Sequence, residues 1–233
     1  MQIGSVRNLL EGLEAHDDDD GSRMYRGQTR DWPLLPSIGR YPDAVHRYED
    51  WRGFHEEIVN TFLRLPHPFL SEYPKSGAES WVVGQHHGLP TRLLDTTTNP
   101  LKALFFAVNN PAEDAHDGVL WTFSYTGWRE DLHEEYRKYW EEELIPFLPP
   151  QLTPRLTAQE GAFVSYPLPQ NREPLKPVDE ISQSAFSVSK IVVLATAKAT
   201  IRNELAQLGV QHRLLFPDLD GVARGIRLML LES

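Results

Sequence analysis

Apolar positions recur along this chain with two different periods, and the period decides which element each segment forms. Val6, Leu9, Leu10 and Leu13 fall on one side of a short helix over residues 5–15. Trp51, Phe54, Ile58, Phe62 and Leu65 make the clearest stripe and predict a helix over 46–65, ended by Pro66 and Pro68. Residues 78–87 read as another helix, with Trp81 and Val82 inward. Asn99 is suited to cap a helix that has Pro100 in its first position and Leu101, Leu104, Phe105 and Val108 on its buried face. Ile201, Leu205 and Leu208 predict a helix closed by Gly209. Asp218-Leu219-Asp220-Gly221 opens a last helix with Val222, Ile226 and Met229 on its buried side. Residues 129–145, bearing Leu132, Tyr136, Tyr139 and Trp140, predict one more, followed by a proline-rich stretch from Pro146 to Pro154.

Strand patterns lie between these helices. Met24 to Gln28 reads as a strand running into a turn, Gly118 to Tyr125 as a full strand, and Gln159 to Tyr166 as a strand after a turn. Lys190 to Ala195 is the strongest β signal, and Arg213 to Phe216 reads as a short strand. The acidic run His16 to Gly21 reads as a solvated loop. Strands and helices mix without strict alternation, which predicts an α+β fold: a single domain over residues 1–233, with a mixed or mainly antiparallel sheet flanked by helices.

Composition narrows the function. A chain of 233 residues can bury roughly 70% of its unfolded surface and needs no covalent staple. Its lack of cysteine excludes a Cys nucleophile, disulfides and Cys-ligated metal sites. No apolar run approaches the ~20 residues that span a bilayer, and no basic segment feeds an apolar one at the N-terminus; a cytoplasmic protein without membrane contact is the expectation. A net charge of −10 disfavours nonspecific nucleic-acid binding while leaving room for a local basic pocket that holds a small anion, such as a nucleotide.

Three polar clusters interrupt the apolar text. In Tyr25-Arg26-Gly27-Gln28, an arginine at a strand end offers a planar fork for a phosphate or carboxylate, and the glycine would let a ligand approach the backbone. Gln85-His86-His87-Gly88-Leu89-Pro90-Thr91-Arg92-Leu93-Leu94-Asp95 runs on through three threonines into the Asn99 helix. Either histidine there suits acid–base work near neutral pH, whereas Arg92 and Asp95 also suit a structural ion pair. Adjacent histidines diverge and no third ligand stands at helical spacing, so no metal is expected. Gln159-Glu160-Gly161 places an amide and a carboxylate at the lip of a strand.

At these clusters the chain resembles the FRG domain family, named for its aromatic-Arg-Gly motif. The resemblance rests on Tyr25-Arg26-Gly27-Gln28 with Trp32, Leu34, Pro36 and Arg40, on the Gln85 to Asp95 block with Thr97, Asn99 and Pro100, on Gln159, Gly161 and Phe163, and on Leu215 to Gly221. It spans residues 24–225, and departs from the family pattern at Thr96, where the family has Trp. A more distant likeness is to ADP-ribosyltransferases, in which an aromatic-Arg-Gly strand, a hydroxyl-rich strand end before a helix, and a later Gln/Glu motif occur in that order. This likeness implies NAD as a substrate. Arg26 would hold its pyrophosphate or ribose, Thr97 would support it, and Glu160 would stabilise the ribose cation, with Asp95 a substitute carboxylate. The resemblance further implies a bacterial defence or toxin-like effector, accompanied by a protein partner or antitoxin.

Three functions remain open on these residues. One is an NAD-handling enzyme of transferase or glycohydrolase type, with Arg26, Thr97 and Gln159 or Glu160 in its site. Another is a phosphodiester-cleaving enzyme with His86 or His87 as base and Arg92 as phosphate clamp. The last is a non-catalytic module for an anionic ligand or a protein. In every case Tyr25, Gly27, Gln28, Gln85, His86, Thr91 and Arg92 are candidate ligand-binding residues.

Overall fold

A computed structural model describes residues 1–15, 22–65, 74–126, 141–150 and 152–230. The acidic run after Ala15, Pro66 and Pro68, and the positions Leu132, Tyr136, Tyr139 and Trp140 lie outside the described residues, as does the side chain of Met229.

Among the described residues seven strands form one mixed sheet: β1 (Gln2–Ile3), β2 (Ser22–Gln28), β3 (Leu93–Thr97), β4 (Gly118–Tyr125), β5 (Ile145–Phe147), β6 (Gly161–Ser165) and β7 (Phe186–Val193). Their order is β1-β7-β4-β2-β3-β6-β5. Only the β1–β7 pair is parallel. Eight α-helices are described: α1 (Val6–Glu14), α2 (Trp51–Arg64), α3 (Gly77–His86), α4 (Pro100–Val108), α5 (Pro154–Ala158), α6 (Lys198–Gln207), α7 (His212–Leu215) and α8 (Leu219–Met229). The α+β expectation holds.

Alternation along β4 sorts the core. Val119, Trp121, Phe123 and Tyr125 enter one cluster with Met24, Trp51 and Phe54, while Leu120 faces the other side of the sheet with Tyr25, Ile191, α1, α4 and α6. A third cluster packs α3, through Ala78, Trp81 and Val82, against Leu93, Phe147 and Phe163 of the β3-β6-β5 strands.

The sheet is nearly divided at its centre. β2 shares seven consecutive register positions with β4, but only one with β3, Tyr25 opposite Thr97. The β1-β7-β4-β2 and β3-β6-β5 halves therefore part on either side of that pair. Packing of α4 reinforces the junction. At Gly27 an added Cβ would lie 1.9 Å from the Ala103 carbonyl oxygen and 2.6 Å from the Ala107 nitrogen. That glycine is required by the approach of the helix, whereas the sequence reading reserved the space for a ligand.

Several expectations need correction. The second helix starts at Trp51, not 46, because the Asp50 side chain caps it by accepting from Gly53 N at 2.8 Å. Its stripe fades toward the end, and Leu65 is exposed. Arg213 to Phe216 does not form a strand; His212 to Leu215 is one helical turn. The last helix forms as expected, and Asp218 Oδ1 accepts from Gly221 N at 2.6 Å, but its faces are reversed: Val222 and Ile226 are exposed. The helix packs instead through its glycines. A Cβ on Gly221 would lie 2.3 Å from the Phe216 oxygen, and one on Gly225 would lie 3.2 Å from His212 Nδ1.

Candidate functional site

The parted strands open a cavity of about 300 Å³ between β2, β3, α3 and α5. Tyr25, Arg26 and Gly27 supply one wall, Asp95, Thr96 and Thr97 the next, and Gln85 and His86 close it from the end of α3. Arg155 and Gln159 enter from α5 and its C-cap. Phe106, Leu156, Val82 and Phe163 make its apolar part.

Arg26 is the anchor. Its Nη1 donates to the Asp95 carbonyl oxygen at 2.7 Å and stands 3.7 Å from the Asp95 carboxylate. Its Nε is buried with no hydrogen-bond partner. Burial pushes the Arg26 pKa down, Asp95 opposes that shift, and Arg40 adds to it. The side chain is 16% exposed, while that of Asp95 is 64% exposed. The site thus presents a shielded cation with an unpartnered donor beside a carboxylate that solvent reaches. Such a cation is under-compensated, and an incoming anion would relieve it.

A hydrogen-bond chain holds the Asp95 carboxylate. The Thr91 hydroxyl donates to Gln85 Oε1, and Gln85 Nε2 donates to Asp95 Oδ1 at 2.6 Å. Thr91 Oγ also accepts from Leu93 N at 3.1 Å, locking the entry to β3. On the other wall the Thr97 hydroxyl donates to the Gln159 carbonyl at 2.7 Å and accepts from Asn99 N at 3.1 Å. Asn99 Oδ1 then caps α4 by accepting from Leu101 and Lys102 N–H groups at 3.0 and 3.3 Å. Thr97 thereby joins β3, the turn before β6 and the start of α4. Gln159 Nε2 donates to the Leu215 carbonyl at 3.0 Å, which fastens α7 to the rim.

His86 faces the cavity with its pKa pushed down, first by burial and then by His87 and Arg155, with Asp218 opposing. It is therefore a neutral imidazole at pH 7, fit to accept a proton rather than to supply charge.

Of the residues singled out in the sequence, Tyr25, Arg26, Gly27, Gln85, His86, Asp95, Thr97 and Gln159 meet at this cavity. Gln28, His87, Thr91, Arg92 and Glu160 do not line it. Gln28 is buried, and its Oε1 accepts from Trp121 Nε1 at 2.6 Å. Arg92 is buried with its guanidinium 5.2 Å from the Trp81 ring. His87 caps α3 and stands edge-on to His86. Glu160 takes a left-handed backbone, φ 46°, in the turn before β6. Its carboxylate accepts from Lys102 Nζ at 2.8 Å and Asn99 Nδ2 at 3.3 Å, so it braces α4. Arg155 escaped the sequence reading. Its signal was Thr153-Pro154: the Thr153 hydroxyl accepts from Leu156 N at 3.1 Å, and proline takes the first helical position. That pair of residues marks a helix start where the sequence reading saw only a proline-rich stretch.

The fold and cavity define a class, an α+β domain whose sheet parts around an aromatic-Arg-Gly strand. Over residues 21–116 the chain matches the model of the FRG domain family. The matched span includes the cavity residues from Tyr25 to Phe106, while Thr153, Arg155, Leu156, Gln159 and Phe163 lie beyond it. Comparison with curated proteins and with solved structures returned no match. No described helix is long and apolar enough to cross a membrane.

Proposed function

We propose that this protein is an NAD-handling enzyme that cleaves the bond between nicotinamide and its ribose in the cleft between β2 and β3. One observation carries the reading: a shielded Arg26 whose Nε has no hydrogen-bond partner stands beside the solvent-reached carboxylate of Asp95. Arg26 holds the pyrophosphate. As the C1′–N bond breaks, its electron pair leaves with nicotinamide and positive charge grows on the ribose. The Asp95 carboxylate, oriented by Gln85, stabilises that charge. Water or an acceptor nucleophile then bonds to C1′ and passes its proton to Asp95 or to solvent. Asp95 takes the role that the sequence reading gave Glu160, whose carboxylate is engaged by Lys102.

A cavity of about 300 Å³ is at the small end of ligand sites, roughly 300–1,000 Å³, so it encloses the nicotinamide riboside half and leaves the adenosine half over the mouth. In this reading the protein acts in the cytoplasm as a toxin-like effector, on cellular NAD or by modifying a target. The phosphodiesterase reading has less support, because His86 lines the cleft without His87 or Arg92. Chromatographic assay of nicotinamide release tests the proposal. Asp95→Asn lowers the rate by about 10²-fold or more while NAD still raises the melting temperature. Arg26→Lys weakens that thermal shift. Neither nicotinamide release nor a thermal shift with wild-type protein would overturn the reading.

A further inference from the structure

The cleft contains a second guanidinium that the proposed reaction leaves unused. Arg155 stands in the first turn of α5 and lines the cavity. Its guanidinium carbon lies 4.6 Å from the centre of the Phe216 ring. No acceptor among the described residues takes up its donors. The platform beneath it is firm: Phe216 is buried, His212 stacks on it at 4.5 Å, and Gln159 ties the neighbouring Leu215 carbonyl to the rim. Arg155 also acts on His86 electrostatically, and both side chains line the same cavity.

Charge bookkeeping at the cleft is uneven. Arg26 and Arg155 are set against Asp95 alone as acid among the described lining residues, and His86 is neutral. Asp95 is itself engaged by Gln85 and Arg26. An excess cation is thus held in a chain of net charge −10. Two guanidinium groups entering from separate elements, β2 and α5, suit a ligand with two adjacent anionic groups, since each fork can take one phosphate.

We propose that Arg26 and Arg155 form a two-walled clamp for a diphosphate, so that the cleft selects nucleoside diphosphate derivatives over monophosphates. This deepens the NAD reading, which supplies such a diphosphate, but it concerns binding alone. Isothermal titration with AMP, ADP and inorganic pyrophosphate, on wild type and on Arg155→Gln and Arg155→Lys, tests it. Wild-type protein binds ADP about tenfold more tightly than AMP, the worth of one added charge-assisted contact. Arg155→Gln removes the preference, and Arg155→Lys restores part of it. Equal affinity of wild type for ADP and AMP overturns the clamp, as does an undiminished preference in Arg155→Gln. An ADP preference without nicotinamide release leaves the clamp standing and sinks the NAD reading. Nicotinamide release with no ADP preference does the reverse.

Discussion

Gly27→Ala separates two explanations for the glycine of the aromatic-Arg-Gly motif. The new methyl would meet the Ala103 oxygen at 1.9 Å and the Ala107 nitrogen at 2.6 Å, both backbone atoms of α4. No rotamer change relieves such contacts, so the helix must retreat. Ala103, Leu104, Ala107 and Val108 are fully buried on that helix, and retreat loosens all four. Overpacking costs roughly 1–3 kcal/mol, and a clash with backbone on both sides belongs at the upper end. For a chain of this length each kcal/mol is worth roughly 2–4 °C, so the melting temperature falls by about 6–12 °C. Calorimetry or circular dichroism measures it, with Gly77→Ala as control, because nothing lies within 4 Å of that Cβ position. A Gly27→Ala protein that melts like wild type yet no longer binds nucleotide would refute the packing argument and return the glycine to the ligand.

Three other outcomes follow from particular contacts. His55 is buried edge-on to Trp81 with Nε2 unpartnered, and burial, then Arg92, hold its pKa well below the ordinary value. The unfolded chain therefore binds the extra proton below about pH 6.5, and stability declines as pH falls from there, by up to about 1.4 kcal/mol per pH unit for this group. His86 and His212, also pushed down by burial, act in the same direction, so His55→Phe flattens the acid limb of a pH–melting profile without abolishing it. Thr97→Val leaves the Gln159 carbonyl and Asn99 N–H without their partner and costs about 2 kcal/mol in chemical denaturation, whereas Thr97→Ser keeps most of it. Glu160→Gln retains nicotinamide release within a fewfold of wild type; a loss matching that of Asp95→Asn would move the catalytic role back to Glu160.

Long elements with explicit punctuation were legible in the sequence. β4 runs from Gly118 to Tyr125 as its alternation predicts, and α4 starts where Asn99 and Pro100 place it. Short apolar runs were not. Leu214-Leu215-Phe216 carries no period, and a single turn of helix satisfies it as well as a strand does. In α8 the apolar stripe misled, because glycine makes the closest helix contacts while contributing nothing to an apolar pattern. The cleft was half legible. Residues clustered in sequence around Arg26 and Asp95 were found, whereas Arg155 reaches it through a tertiary contact from a five-residue helix. Glu160 lies off the cavity lining for a backbone reason: its left-handed turn carries the carboxylate toward Lys102.

The lone register pair between β2 and β3 gives Arg26 a second duty. Where the backbone ladder stops, its guanidinium reaches across to the Asp95 carbonyl and serves as a side-chain rung of the sheet. Occupancy of the cleft and continuity of the sheet thus draw on one group, but on different atoms: Nη1 spans the gap, and Nε is without a partner. A ligand that takes Nε fastens the two halves together and stiffens the whole sheet. One that competes for Nη1 unzips them, so hydrogen exchange at β3 amides reports which atom a ligand uses.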